Sequence, residues 1–450
     1  MTATLLLAAL ETVVLSGVPH LQQRADFCGE ACVAMWLGKL GKPADQDWVF
    51  EQTGLDPLEG RGAYSRDLAR ALKLIGFRAG AGWHSAGDEA GVEKIFRELH
   101  ADLRAGVPSI VCMHSRDGDG ATEHMRLVLG YDAATDEVVF HEPAERDGAY
   151  RRMKRALFLK LWPLKYEPAS WTVIRFRLEA GPSLRAGRAA KRPGPADFAQ
   201  HVMDLRRRMG GLSIALAPPF VVIGDAGRAS VESWARGTVS WARDKLRAAY
   251  FDRDPDEILD VWLFKDAKSY RRHAKALFDD EPETPFGYYS PSNRALVMNI
   301  ATGGGTLVHE IVHPYIRANF PEAPAWFNEG LGSLYEQSAE RGGGIVGLTN
   351  WRLAGLQRAI RAGALLTFRK MIESSDAAFY SSEHGYAQAR YLLYYLQEHG
   401  LLRKYYRSFH AGRREDRTGW RALRAVLGEE EMDGFQTRWE EFVLGLQFDG

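Results

Sequence analysis

Cysteine is scarce in this chain. Only Cys28, Cys32 and Cys112 occur in 450 residues, too few for a disulfide framework. Long apolar runs are missing as well, so no membrane span is expected. Charge of either sign is not in surplus: 58 Lys and Arg face 58 Asp and Glu. A polyanionic partner demands a basic excess, so no nucleic-acid partner is expected. The basic clusters Arg151-Arg152-Met153-Lys154-Arg155 and Arg206-Arg207-Arg208 read as solvated helix faces. Gly303-Gly304-Gly305 lacks the Gly-Lys-Ser/Thr of a phosphate loop and reads as a turn into a helix. Asp117-Gly118-Asp119-Gly120 lacks the further ligands of a calcium loop and reads as a hairpin loop. The run Thr4 to Leu10 is apolar like a signal-peptide core. No Lys or Arg precedes Arg24, however, and Glu11 ends the run. Export and a cytoplasmic location therefore stand as equal alternatives.

What the chain does have is enough apolar residue, 46%, to bury a sizeable core, over a length that favours two or three domains. Residues 11–178 read as a mixed α/β unit. Helices are predicted over 26–40, with Asp26 as N-cap, and over 64–75 and 91–103. Strands are predicted over 107–113, 125–131 and 137–140. Residues 179–196 are rich in Gly, Pro, Ala and Arg and read as a linker. The remainder is divided into 197–345, with strands at 220–223, 258–264 and 295–300 and helices at 230–250 and 268–278, and a subdomain 346–450. From Gly305 onward the pattern is almost wholly helical. The fold class is α+β.

His309-Glu310-Ile311-Val312-His313 places two imidazoles four residues apart. On a helix both project from one face and can share a metal ion. Glu310 adjoins the first of them, placed to act as general base on a water. Glu329 follows in Ala325-Trp326-Phe327-Asn328-Glu329-Gly330-Leu331, after a break at Pro321 and Pro324. Two His and one carboxylate form the open set of a catalytic zinc site rather than the closed set of a structural one. Pro314, directly after His313, removes one helical hydrogen bond and predicts a bend there.

The stretch Thr306 to Tyr335 resembles the gluzincin metallopeptidases, in particular a bacterial branch with Trp-Phe/Leu-Asn/Ser-Glu-Gly-Leu after the His-Glu-x-x-His helix. The likeness extends back through Phe286-Gly287-Tyr288-Tyr289 and Ala295 to Asn299, as an edge strand above a cleft. The resemblance implies His309, His313 and Glu329 as ligands of Zn2+, Glu310 as base, and Tyr386 as oxyanion donor. In some members an Asp four residues after the ligand Glu supports a zinc His. Here that position is Ser333, so the support must come from elsewhere.

The first half carries a second constellation. A helix starting near Cys28 puts the thiol at its positive end, which favours the thiolate. Gln22, six residues before it, can donate to an oxyanion beside the Cys28 N–H, with Gln23 as a rival. His124 opens one strand and Glu142 follows the next, which suits a Cys–His–acid triad. Residues 13–165 resemble the papain-like peptidases that remove double-glycine leaders. The resemblance implies Gln22 in the oxyanion hole, Cys28 as nucleophile, His124 as base and Glu142 as orienting acid, where relatives carry Asp. Cys32 and Cys112 read as buried small hydrophobes.

The expected architecture is thus a papain-like domain followed by a gluzincin-type zinc domain with a helical C-terminal part, acting on a peptide or protein substrate. Three functions stay open: two active sites, a zinc peptidase with a non-catalytic peptide-binding first half, or a non-catalytic interaction scaffold. Met209-Gly210-Gly211-Leu212 adds self-cleavage after Gly211 as an alternative to a plain turn.

Overall fold

The computed structural model describes residues 10–167, 170–189 and 193–448. The apolar run 4–10 lies outside them except for Leu10. The chain forms two compact units, 1–208 and 209–450, in an α+β architecture. No helix among the described residues is long and apolar enough to cross a membrane.

The first unit is built on an eight-stranded sheet. Its elements run β1 (Val13–Val14), α1 (Cys28–Lys39), α2 (Gln46–Thr53), α3 (Ser65–Ile75), β2 (Phe77–Arg78), β3 (Gly82–Ser85), α4 (Glu89–Arg104), β4 (Ser109–His114), β5 (Glu123–Asp132), β6 (Glu137–His141), β7 (Arg151–Lys154), α5 (Arg155–Leu161), β8 (Leu164–Glu167), β9 (Ser170–Arg177), β10 (Glu179–Ala180) and α6 (Pro195–Arg208). The sheet order is β3-β9-β4-β5-β6-β7, with β1 on β5 and β8 on β9. Alternate residues of β4 enter different cores. Ile110 and Cys112 pack with α1, while Val111 and Met113 pack with α4, as the period of two requires. Residues Gly29 to Leu37 of α1 are all buried. A helix apolar on every side is a core helix, and it fixes the Cys28 end against the sheet.

Asp26 does not cap α1. The N-cap is Phe27, without a side-chain bond. Asp26 adopts a left-handed φ of 63°, and its carboxylate accepts from the Gly62 N–H at 2.8 Å. The stretch that composition marks as a linker runs along this unit. Glu179–Ala180 pairs with β2, Gly187 accepts from the Asp45 N–H, and α6 packs on α2. The compact units divide after Arg208, where Gly211 turns at φ 86°.

The second unit opens on a five-stranded sheet in the order β11-β12-β13-β15-β14. Its elements are β11 (Ser213–Ala217), β12 (Phe220–Gly224), α7 (Arg228–Trp234), α8 (Trp241–Ala249), β13 (Leu259–Phe264), α9 (Ala267–Phe278), β14 (Gly287–Ser290), β15 (Ala295–Asn299), α10 (Gly305–Asn319), α11 (Ala325–Tyr335), β16 (Ser338–Arg341) and β17 (Gly344–Gly347). The helix expected over 230–250 is interrupted by a π-helical turn, Ala235–Ser240. β12, β13 and β15 are parallel, and β14 lies antiparallel at the edge. The rest is not wholly helical, since β16 and β17 form a hairpin. Gly342 and Gly343 supply its two left-handed turn residues, a turn chemistry easily hidden between long helices. Seven helices follow: α12 (Arg352–Arg361), α13 (Phe368–Ile372), α14 (Asp376–Tyr380), α15 (Gly385–Glu398), α16 (Leu402–Ala411), α17 (Trp420–Leu427) and α18 (Met432–Leu444). One continuous core joins them to the sheet.

α10 buries Leu307, Val308, Ile311, Val312, Tyr315 and Ile316. That stripe at helical spacing, worth about 1.5–3 kcal/mol per large side chain, points His309, Glu310 and His313 toward the cleft. Pro314 is buried within α10, which continues to Asn319. Arg390 of α15 is fully buried. Its guanidinium donates to the carbonyls of Ser333 at 2.8 Å and Leu334 at 3.4 Å, satisfying the end of α11 that hydrogen bonds within the helix leave open.

Candidate metal centre and candidate thiol site

In the second unit His309 and His313 project from α10 and Glu329 from α11, and their ligand atoms lie within 4.8 Å of one another. The two imidazole centroids are 4.8 Å apart. Gly332 makes room for the first ring, since a Cβ there would sit 3.0 Å from the His309 ring atoms. His309 Nε2 lies 3.2 Å and His313 Nε2 3.9 Å from Glu329 Oε2. Glu310 Oε2 is 3.7 Å from His313 Nε2.

The other imidazole nitrogens are spoken for. His309 Nδ1 is 3.1 Å from Glu336 Oε1, and His313 Nδ1 is 3.0 Å from Asn328 Oδ1. Donation from each Nδ1–H leaves Nε2 as the lone pair aimed at the cluster, the usual way an outer partner sets a ligand's tautomer. Glu336 is itself held by Arg352, at 2.8 and 3.0 Å, and by Asn350 Nδ2 at 3.2 Å. Glu336 is therefore the carboxylate that meets His309 Nδ1, where position 333 holds Ser. The Ser333 hydroxyl is buried without a hydrogen-bond partner. Glu336 lies seven residues after Glu329, two helical turns on and on the same face, a signal present in the sequence.

Burial alone would depress His309, but hydrogen bonds to Glu329 and Glu336 raise it to about 10. Burial and the neighbouring His309 lower His313 to about 4. Burial raises Glu310 to about 7. Glu336 overcomes burial through His309 and Arg352 and falls to about 2. A cluster that attracts a proton onto His309 is one that a cation can occupy in the proton's place. Two imidazoles and a carboxylate with oriented outer partners fit a divalent metal ion.

A cleft of about 1200 Å³ opens over the cluster, lined among others by Tyr380, Tyr386 and Trp351. Tyr380 OH donates to Glu329 Oε1 at 3.1 Å. The Tyr386 ring faces the Arg352 guanidinium at 5.5 Å, so both tyrosines adjoin the cluster and Tyr380 holds Glu329.

In the first unit Cys28 and His124 line one cavity of about 580 Å³. His124 Nε2 bonds Glu142 Oε1. Glu142 Oε1 also accepts from the Ala144 N–H at 3.1 Å. Its other oxygen accepts from Arg126 Nε at 2.7 Å. Arg126 stands two residues from His124 on β5, hence on the same face, and its remaining nitrogens donate to the His114 and Ser115 carbonyls at 3.3 and 3.1 Å. Against burial, His124 and Arg126 bring Glu142 down to about 2. Burial, with Glu30 nearby, pushes the Cys28 thiol up to about 12. Gln22 is exposed, and its carbonyl accepts from Gln46 Nε2 at 3.2 Å. Gln23 donates its N–H to the Pro143 carbonyl at 2.8 Å, and its Oε1 is buried without a partner.

Arg126→Met should destabilise the first unit by about 3–5 kcal/mol at pH 7, because the buried Glu142 carboxylate loses its paired cation. Glu142 is depressed in the folded state, so its contribution is complete above its unfolded pKa and fades as pH falls toward about 2. Urea unfolding at pH 7 and pH 3 should therefore show the gap between variant and parent narrowing at the lower pH. A gap that stays constant would mean Glu142 does not depend on Arg126.

Residues 15–170 match the model of the Peptidase_C39 like family. No protein of curated function matches the chain. Among solved structures, the peptidase domain of Streptococcus ComA, a bi-functional ABC transporter involved in a quorum sensing pathway, aligns at 15% identity over 36% of this chain and 99% of that domain, with a TM-score of 0.25. The first unit thus contains a domain similar to the C39 cysteine peptidases, and the second holds a His/Glu cluster able to bind a metal ion.

Proposed function

We propose that the chain is a peptide hydrolase with a single-zinc site in its second unit and a Cys–His–acid site in its first. The observation that carries the zinc assignment is the convergence of His309, His313 and Glu329, with both Nδ1 atoms engaged by Glu336 and Asn328. When bound, zinc supplies Lewis-acid polarisation of a carbonyl and acidifies a water. Glu310, beside the cluster at 3.7 Å from His313 Nε2, accepts the proton of the attacking water and can return it to the leaving amine. Tyr386, on the cleft wall, is the proposed donor to the oxyanion. In the first unit Cys28 is the proposed nucleophile, His124 its base and Glu142 its orienting acid, with Gln22 or Gln23 in the oxyanion hole.

A second reading keeps the zinc site and makes the first unit a peptide-binding module. What favours it is the Cys28 thiol, pushed up to about 12 and without a hydrogen bond to His124 among the described residues. Zinc-loaded protein should cleave members of a quenched peptide library. Dialysis against a chelator should remove that cleavage except for the part carried by Cys28, and one equivalent of zinc should restore it. Protein that takes up no zinc, or cleavage indifferent to its removal, would sink the zinc assignment.

A further inference from the structure

The cleft over α10 contains a cation that the metal cluster does not use. Arg317 lies four residues beyond His313, about 6 Å along the helix, and lines the same cleft. It is exposed, and no carboxylate among the described residues forms an ion pair with it. The cleft's other arginine, Arg352, is occupied: it forks onto Glu336 and stacks on Trp351 at 4.2 Å. Tyr289 of β14 lies beside Arg317 on the wall of the same cleft.

Charge balance singles Arg317 out. With a divalent cation at the cluster, Glu310 and Glu329 offset the metal and Arg352 offsets Glu336. The other side chains lining the cleft carry no formal charge. Arg317 is left as the uncompensated charge of the cleft, beside the Tyr289 hydroxyl. A guanidinium presents a planar fork that matches a carboxylate.

We infer that Arg317 is the specificity-determining residue of this cleft and binds a carboxylate of the substrate peptide near the bond that is cut. An extended peptide advances about 3.3–3.6 Å per residue, so the helical turn of about 6 Å between His313 and Arg317 corresponds to about two residues from that bond. The carboxylate is an Asp or Glu side chain or the free C-terminus of the peptide. This inference rests on the hydrolase reading only for its orientation, because binding can be measured without turnover.

The test uses zinc-loaded full-length Glu310→Gln and the double variant Glu310→Gln/Arg317→Gln. The probes are alanine-rich decapeptides that differ by one Glu or Gln, each ending in a carboxylate or a carboxamide, titrated by calorimetry. The single variant should bind the carboxylate-bearing peptide about 10- to 100-fold more tightly than its neutral counterpart, as for a charge-assisted hydrogen bond. The double variant should lose that preference while keeping its zinc. Loss confined to the Glu/Gln pair assigns a side chain, and loss confined to the carboxylate/carboxamide pair assigns the chain end. Arg317→Glu in the same background should invert the preference toward a lysine-bearing peptide. Equal binding of charged and neutral peptides by the single variant would overturn the inference, and so would a preference that survives Arg317→Gln. In the wild type, failure to cleave any of these peptides while the binding preference persists would overturn the hydrolase reading and leave the recognition standing.

Discussion

Glu310→Gln should retain zinc and lose turnover by roughly 10²-fold or more. His309→Ala, His313→Ala and Glu329→Ala should instead lose the metal. The contrast follows from position. The three ligand atoms converge on one point, so each alanine removes a donor. Glu310 stands 3.7 Å from His313 Nε2, beside the cluster rather than within its ligand set. Gln keeps its size and removes only the capacity to take a proton. Glu336→Ala should fall between these limits. It frees His309 Nδ1 and leaves Arg352 without its carboxylate, and loss of such an outer partner typically costs 10–100-fold in metal affinity or activity. Elemental analysis of all five variants, paired with cleavage rates, reads both quantities. Turnover by Glu310→Gln equal to that of the parent would remove the general-base assignment. Zinc retained in all three alanine variants would remove the ligand assignment.

Chelated protein provides the second large effect. Cleavage that persists after zinc is removed should fall by about 10³-fold or more in Cys28→Ala and in His124→Ala. The double variant should be no worse than either single, because residues acting as one unit are not additive. The resting thiol sits at about 12 and so is protonated at neutral pH. Alkylation of Cys28 by iodoacetamide should accordingly rise about tenfold per pH unit between pH 7 and pH 9, whereas a preformed thiolate–imidazolium pair would give a rate flat across that range. Cys32 and Cys112, 0% and 3% exposed, should label far more slowly. If the three cysteines label equally, or Cys28→Ala leaves chelator-resistant cleavage unchanged, the first unit is a binding module.

The sequence by itself determined the parts whose chemistry is local. Four-residue spacing on an apolar-striped helix put His309 and His313 on one face, and Pro321 with Pro324 set the break that lets α11 return Glu329 to them. Short apolar runs bounded by turn residues located β4, β5 and β6, the strands that carry His124 and lead to Glu142. Local spacing put Glu336 on the face of Glu329 but did not name its partners. Glu336 reaches His309 across α11, and Arg352 reaches Glu336 from the far side of the β16–β17 hairpin, a turn that its glycines signal but that short strands between long helices conceal. Arg126 was legible only as one more charge on a strand until the sheet brought Glu142 to it. Asp26 reads as a helix cap, but the Gly62 N–H claims its carboxylate and bends the backbone to the left-handed region. Cys28 at a helix start suggests an acidic thiol. The enclosing core and buried Glu30 raise it instead, because desolvation depends on what packs around a group and not on its neighbours in sequence.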